Sequence, residues 1–133
     1  MKTVLVQTHS RTEFVDITPH VRDAVREAGI TRGICTVFCP HTTAGITINE
    51  NADPDVVIDL LNGLERIAPY RANWRHSEGN SDAHLKSSLV GCSTQVLVED
   101  GAPVLGTWQS VYFCEFDGPR HRQVHIQALG LDA

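Results

Sequence analysis

The chain has 133 residues, 41% of them hydrophobic and 20% charged, which suits one domain with its own core and is too apolar for a disordered chain. Its formal net charge of -5 excludes a general nucleic-acid binder, which needs a basic surface to displace counterions. No apolar run is long enough to span a bilayer, and the short polar start Met1 to His9 does not read as a signal peptide, so a cytoplasmic location is the default expectation.

Residues 3–8 and 13–17 read as a first pair of strands. Thr18 then suits a helix N-cap and Pro19 the first helical position. Val21, Ala24, Val25 and Ala28 share one face of that helix, and Gly29 suits its stop. Residues 33–39 are rich in β-formers and residues 45–49 form a second such run. The polar turn Pro40-His41-Thr42-Thr43-Ala44 joins them. Asp53 before Pro54 predicts a second N-cap and a helix to about Arg66, with Val56, Val57, Leu60, Leu61 and Leu64 as its apolar stripe. The polar, aromatic stretch 68–81 predicts a functional loop. Residues 82–89 suit a short helix ended by Gly91. Strands follow at about 93–99, 103–107, 108–116 and 122–129, with Glu99-Asp100-Gly101 as a hairpin turn. Helices and antiparallel strands are segregated. This predicts an α+β fold over 1–133: one compact domain of antiparallel sheets, sandwich or barrel-like, with two main helices and a short third.

The four cysteines, Cys35, Cys39, Cys92 and Cys114, lack the two-residue spacer of a zinc ribbon or a redox motif and sit in apolar, strand-like stretches. They are expected to be buried and reduced.

Residues able to do chemistry gather in three segments: 41–53, 75–84 and 106–120. His76 and His84 flank a glycine-containing polar loop that can fold back so both imidazoles meet one ion, and His41 at a strand end offers a third nitrogen. Three nitrogens with an open position describe a catalytic-type metal site. The plain alternative is histidines that only hydrogen-bond within a polar loop. Glu50 and Asp82 are the carboxylates expected to move a proton or orient a histidine, although Asp82 also suits a first helical turn and Asp53 is most simply a cap. Asn80, Ser81 and Lys86 lie at the start of the third helix, whose free amides attract anions, and Arg120 offers a bidentate contact. Arg71 and Arg75 are further cations in the loop. No phosphate-binding Gly-x-x-x-x-Gly-Lys loop is present, which disfavours an NTPase. Trp108 is expected in the core or a subunit interface.

The runs His41-Thr42-Thr43-Ala44-Gly45 with Asn49-Glu50-Asn51-Ala52-Asp53-Pro54, then Glu78-Gly79-Asn80-Ser81-Asp82-Ala83-His84-Leu85-Lys86-Ser87-Ser88, then Leu105-Gly106-Thr107-Trp108-Gln109 and Phe116-Asp117-Gly118-Pro119-Arg120, resemble the YjbQ-like family, also called the secondary thiamine-phosphate synthase family. The resemblance covers nearly the whole chain. It implies a compact α+β domain, a homotrimer, and a histidine metal site mapping onto His41, His76 and His84. It also implies a side activity joining a pyrimidine diphosphate to a thiazole phosphate with loss of pyrophosphate. Three imidazoles favour zinc, whereas leaving pyrophosphate favours a hard cation such as magnesium, or Arg and Lys. The expectation is therefore a metal-dependent enzyme acting on a small phosphorylated or heterocyclic metabolite, with no nucleic-acid or membrane partner. The alternative is a non-catalytic metal- or ligand-binding homotrimer.

Overall fold

The computed structural model describes residues 1–131. Five strands form the first sheet, in the order β1 (Lys2–Gln7), β8 (His121–Gly130), β3 (Gly33–Phe38), β5 (Ser93–Glu99), β6 (Ala102–Pro103). Three form the second, in the order β2 (Glu13–Asp16), β7 (Gln109–Glu115), β4 (Ala44–Glu50). All the ladders are antiparallel. Helices α1 (Thr18–Ala28), α2 (Pro54–Ile67) and α3 (Ser81–Val90) complete the domain, as the α+β expectation has it.

Alternation decides what each strand buries. Val4 and Val6, Cys35 and Val37, Val96 and Val98, and Val124 and Ile126 point inward from the five-stranded sheet. They meet Ala44, Ile46, Val111 and Phe113 from the other sheet, and Ile17, Val21, Ala24 and Val25 from α1. Each fully buried Val or Phe contributes about 1.5–3 kcal/mol relative to exposure. β7 is buried on both faces, because Tyr112, Cys114 and Phe116 pack outward against Ala83, Val57 and Leu64 of α3 and α2. The three-stranded sheet is thus a middle layer, and α3 lies on its outer side, beside the start of β4.

Four expectations change. Thr18 is inside α1: Ile17 holds the N-cap position, the Thr18 amide donates to Asp16 Oδ1 at 2.9 Å, and Thr18 Oγ1 accepts from the Val111 amide at 2.9 Å. Its hydroxyl ties the helix to β7 instead of capping. The stripe of α2 is only half-buried and no residue of that helix is fully buried, although Asp53 caps it as expected by accepting from the Asp55 amide. The strand expected at 103–107 shrinks to β6, because Pro103 has no amide to continue the ladder; one bond follows, from the Val104 amide to the Leu97 carbonyl. Trp108 is 61% exposed, so of its two expected places, core or subunit interface, the core is overturned. No described helix is long and apolar enough to cross a membrane.

Candidate functional site

β3 ends at Phe38, and the turn to β4 carries His41, Thr42 and Thr43 to the N-terminal end of α3. Gly45 lets β4 pass close to the other, C-terminal end of the same helix. A Cβ there would stand 2.6 Å from the Gly91 carbonyl oxygen, to which the Ile46 amide donates at 3.0 Å. The loop 68–80 returns over the same place. It is held by Arg11, whose guanidinium lies 3.5 Å from the Tyr70 ring centroid and forks onto Asp82 at 3.0 and 3.1 Å. The Tyr70 amide is anchored on Glu65.

These elements enclose a polar cavity of about 510 Å³, lined by His41, Thr42 and Thr43, by His76, Glu78 and Asn80, by His84, and by Asp117, Arg120 and Arg122. The rings of His76 and His84 meet edge-on with centroids 5.8 Å apart, and His76 Nε2 is 3.7 Å from Glu78 Oε2. Asn80 donates its side-chain amide to Asp117 Oδ2 at 2.9 Å, while its own buried Oδ1 has no partner among the described residues. Such an orphaned acceptor in a native fold calls for a donor, from water or from a ligand. Arg120 is held at the rim by the Asp117 carbonyl and carboxylate, at 2.8 and 3.0 Å.

The floor is ionic. Arg122 pairs through both Nε and Nη2 with the two oxygens of Glu115 and donates to Thr43 Oγ1 at 2.9 Å. Glu115 also accepts from Thr8 Oγ1 and from the Asp117 amide. Burial alone would raise the Glu115 carboxyl. The bonds from Arg122, Thr8 and Asp117 outweigh it and hold it below the usual carboxylate range. His41 is shifted down, first by burial and then by the Arg122 charge.

The structure therefore brings His41, His76, His84, Asn80 and Arg120 to one cavity and leaves other candidates elsewhere. Glu50 is at the far end of β4, roughly 20 Å from Ala44 at about 3.3 Å per residue, beside Trp108 and Gln109. Asp82 is fully buried and spent on Arg11 and Lys86. Burial would raise its pKa, but those two cations hold it low, so it is no free base. Lys86 is 1% exposed, with its ammonium on Asp82 and Glu65, and does not line the cavity. Ser81 opens α3 without lining the cavity, and Arg75 is exposed outside it. Thr43, Asp117 and above all Arg122 complete the site. Arg122 was findable, since a cation on the inner side of a strand must be matched.

A three-histidine metal site does not fit these residues as they stand. His41 Nε2 accepts the Gln123 amide at 2.9 Å, which puts the ring proton on Nδ1 and leaves neither nitrogen free to ligate. Among the described residues no three His, Cys, Asp or Glu side chains are placed to hold an ion.

A second, more apolar cavity of about 790 Å³ adjoins the first through Pro40, His41, Thr42 and His84, and adds Phe38, Cys39, Gly91 and Cys92. Cys35, Cys39 and Cys114 are buried as expected, whereas Cys92 is exposed.

Residues 2–131 match the family described as UPF0047 protein YjbQ-like. The UPF0047 protein YugU of Bacillus subtilis is 53% identical over 131 residues, 98% of this chain and 99% of that one. The UPF0047 protein MJ1081 of Methanocaldococcus jannaschii is 53% identical over 125 residues, 94% and 91% of the two chains. The crystal structure of an uncharacterised YjbQ/UPF0047 protein from Clostridium acetobutylicum superposes with a TM-score of 0.96 at 50% identity, covering 97% of this chain and 100% of that one. A YjbQ-like protein of unknown function from Sulfolobus solfataricus does so at 0.93 and 34% identity, covering 97% and 95%. The fold and these matches agree: the chain belongs to the YjbQ-like UPF0047 family.

Proposed function

We propose that the protein is an enzyme for a small phosphorylated metabolite, in which His76 and His84 transfer protons at a substrate held by Arg120 and the start of α3. One observation carries this: two imidazoles and a guanidinium line one cavity at a helix N-terminus, with Asn80 in its wall. The first amides of a helix have no carbonyl within it to bond, and they favour an anion. Arg120 adds a planar donor at the rim. Imidazole exchanges protons near neutral pH. Glu78 beside His76 would fix which ring nitrogen carries the proton. Joining a pyrimidine diphosphate to a thiazole phosphate is a side reaction such a pocket would serve, with Arg120 receiving the departing pyrophosphate.

The test is binding first and turnover second. Inorganic phosphate titrated at neutral pH is expected to bind, and Arg120→Gln to weaken it about tenfold, the loss of a charged hydrogen bond. His84→Gln is expected to keep the fold and lose turnover in a screen of phosphorylated metabolites that includes the thiamine-phosphate pair. Phosphate affinity indifferent to Arg120→Gln, or turnover that survives His84→Gln, would refute the assignment.

A second function is favoured by the edge-on approach of His76 and His84, the arrangement of two ligands on a shared ion. Here the protein would bind zinc without turnover, and a homotrimer would complete the site. A chelator is then expected to lower the melting temperature or split the oligomer while removing no activity.

A further inference from the structure

The ladder of β3 and β5 runs from Gly33↔Val98 to Phe38↔Ser93. One step beyond, the Cys39 amide donates to the Cys92 carbonyl at 2.7 Å, so Cys39 and Cys92 stand directly opposite. Opposed residues of an antiparallel pair project to the same side, with Cα atoms about 4.5–5.5 Å apart. A disulfide bridges Cα separations of about 4.4–6.8 Å. Both side chains line the apolar cavity, and the Cys92 thiol is close enough to raise that of Cys39.

The pair is asymmetric. Cys92 is exposed and Cys39 is 1% exposed. Burial raises the Cys39 thiol to about 11, offset only in part by the His41 carbonyl, so Cys92 is the sulfur an oxidant meets first. The remaining cysteines face no cysteine across a ladder: Cys35 faces Val96 and Ala128, and Cys114, although near enough to feel Cys39, faces Phe14 and Gly45 and is fully buried.

We propose that Cys39 and Cys92 form a reversible thiol–disulfide modification site, oxidised by a hydroperoxide and reduced by a dithiol, in the cavity wall that also carries His41 and His84. In the first step the Cys92 sulfur attacks the peroxide. An S–O bond forms, the O–O bond breaks, and the Cys92 sulfenic acid and water (or an alcohol) result. In the second step the Cys39 sulfur displaces hydroxide from that sulfenic acid; its proton leaves with the hydroxide as water and the S–S bond forms. Two thiols lose two protons and two electrons, which the peroxide takes up. The bridge joins the end of β3 to the chain just after α3, where the Gly91 carbonyl already holds the Ile46 amide. It thereby pins the outer wall shared with the neighbouring polar cavity. This site stands whether or not a phosphorylated substrate is bound next to it.

The test treats the reduced, full-length protein with a small excess of hydrogen peroxide, blocks remaining thiols, and maps the peptides by mass. Two of the four thiols are expected to disappear, with a mass loss of two hydrogens, a peptide pair joined through Cys39 and Cys92, and full reversal by dithiothreitol. Cys92→Ser should abolish the linkage. Cys39→Ala should leave a dimedone-reactive sulfenic acid on Cys92. Should Cys39→Ala not fold, the wild-type map and Cys92→Ser decide alone. The proposal is overturned if Cys92 resists oxidation, or if it ends as a sulfinic acid or an intermolecular disulfide while Cys39 stays free.

Discussion

Arg122 sits on the inner side of β8, in line with the core residues Val124 and Ile126. A charge there survives only with a partner, and Glu115 and Thr43 satisfy it from β7 and the His41 turn. Arg122→Met leaves Glu115 buried and unpaired, which should cost about 3–5 kcal/mol. Adding Glu115→Leu should recover most of that loss, since an apolar pair of similar volume replaces an ion pair at little net cost. Urea unfolding of the two variants measures both. Equal losses in single and double variants would show that Arg122 matters through its packing alone. The same logic separates the candidate side chains that were legible in the sequence from those that were not. His76, His84, Asn80 and Arg120 lie in polar segments outside every apolar stripe, so their chemistry showed. Asp82 and Lys86, also polar and four residues apart on one helix, use up their charges on each other and on Arg11 and Glu65. Those partners are distant in sequence, so nothing local reveals that the ions are spoken for.

Elements were more legible than side chains, because periodicity is local and burial is not. The inner positions of β3 and β8 follow the period of two, and Asp53 caps α2 through its own side chain. Thr18 looked like the same signal, yet its hydroxyl accepts the Val111 amide from 93 residues away, a tertiary demand that overrides capping. The half-exposed stripe of α2 has a related origin: its partners are the few outward residues of β7, too small a surface to cover a 14-residue helix. Gly45 shows how two elements set the cavity. Ala at 45 would press its Cβ onto the Gly91 carbonyl at 2.6 Å, and backbone on both sides cannot yield as a flexible side chain does. Gly45→Ala should therefore push β4 from α3, cost about 1–3 kcal/mol, and weaken phosphate binding because His41 and His84 part. Gly63 in α2 meets nothing within 4 Å. Gly63→Ala should instead stabilise by about 1 kcal/mol through helix propensity. Thermal melts of the two alanine variants should move in opposite directions.

At the scale of the molecule, an acidic chain with net charge -5 places several of its carboxylates beside cations that hold them ionised. Asp82, Glu115 and Glu65 are each pushed up by burial and brought down further by their partners: Arg11 and Lys86 for Asp82, Arg122 and Thr8 for Glu115, Lys86 and the Tyr70 amide for Glu65. The net folded values lie below the ordinary ones of about 4. Between the two values the unfolded chain binds more protons than the folded one, so stability rises with pH there. The contribution is complete above about pH 5 and is lost as pH falls through the depressed folded values. These carboxylates also tie separate parts together: Arg11 and the Tyr70 loop to α3, α2 to α3 through Glu65, and β7 to β8 through Glu115. Their protonation should loosen the cavity walls along with the whole fold. Urea-unfolding free energies measured from pH 7 to pH 3 should stay level and then drop below about pH 5. The drop should be shallower in Glu115→Gln, which has no proton to gain at that position. A wild-type profile that stays level to pH 3, or an unchanged slope in the Gln variant, would mean that the buried pairs are not what sets the acid limit.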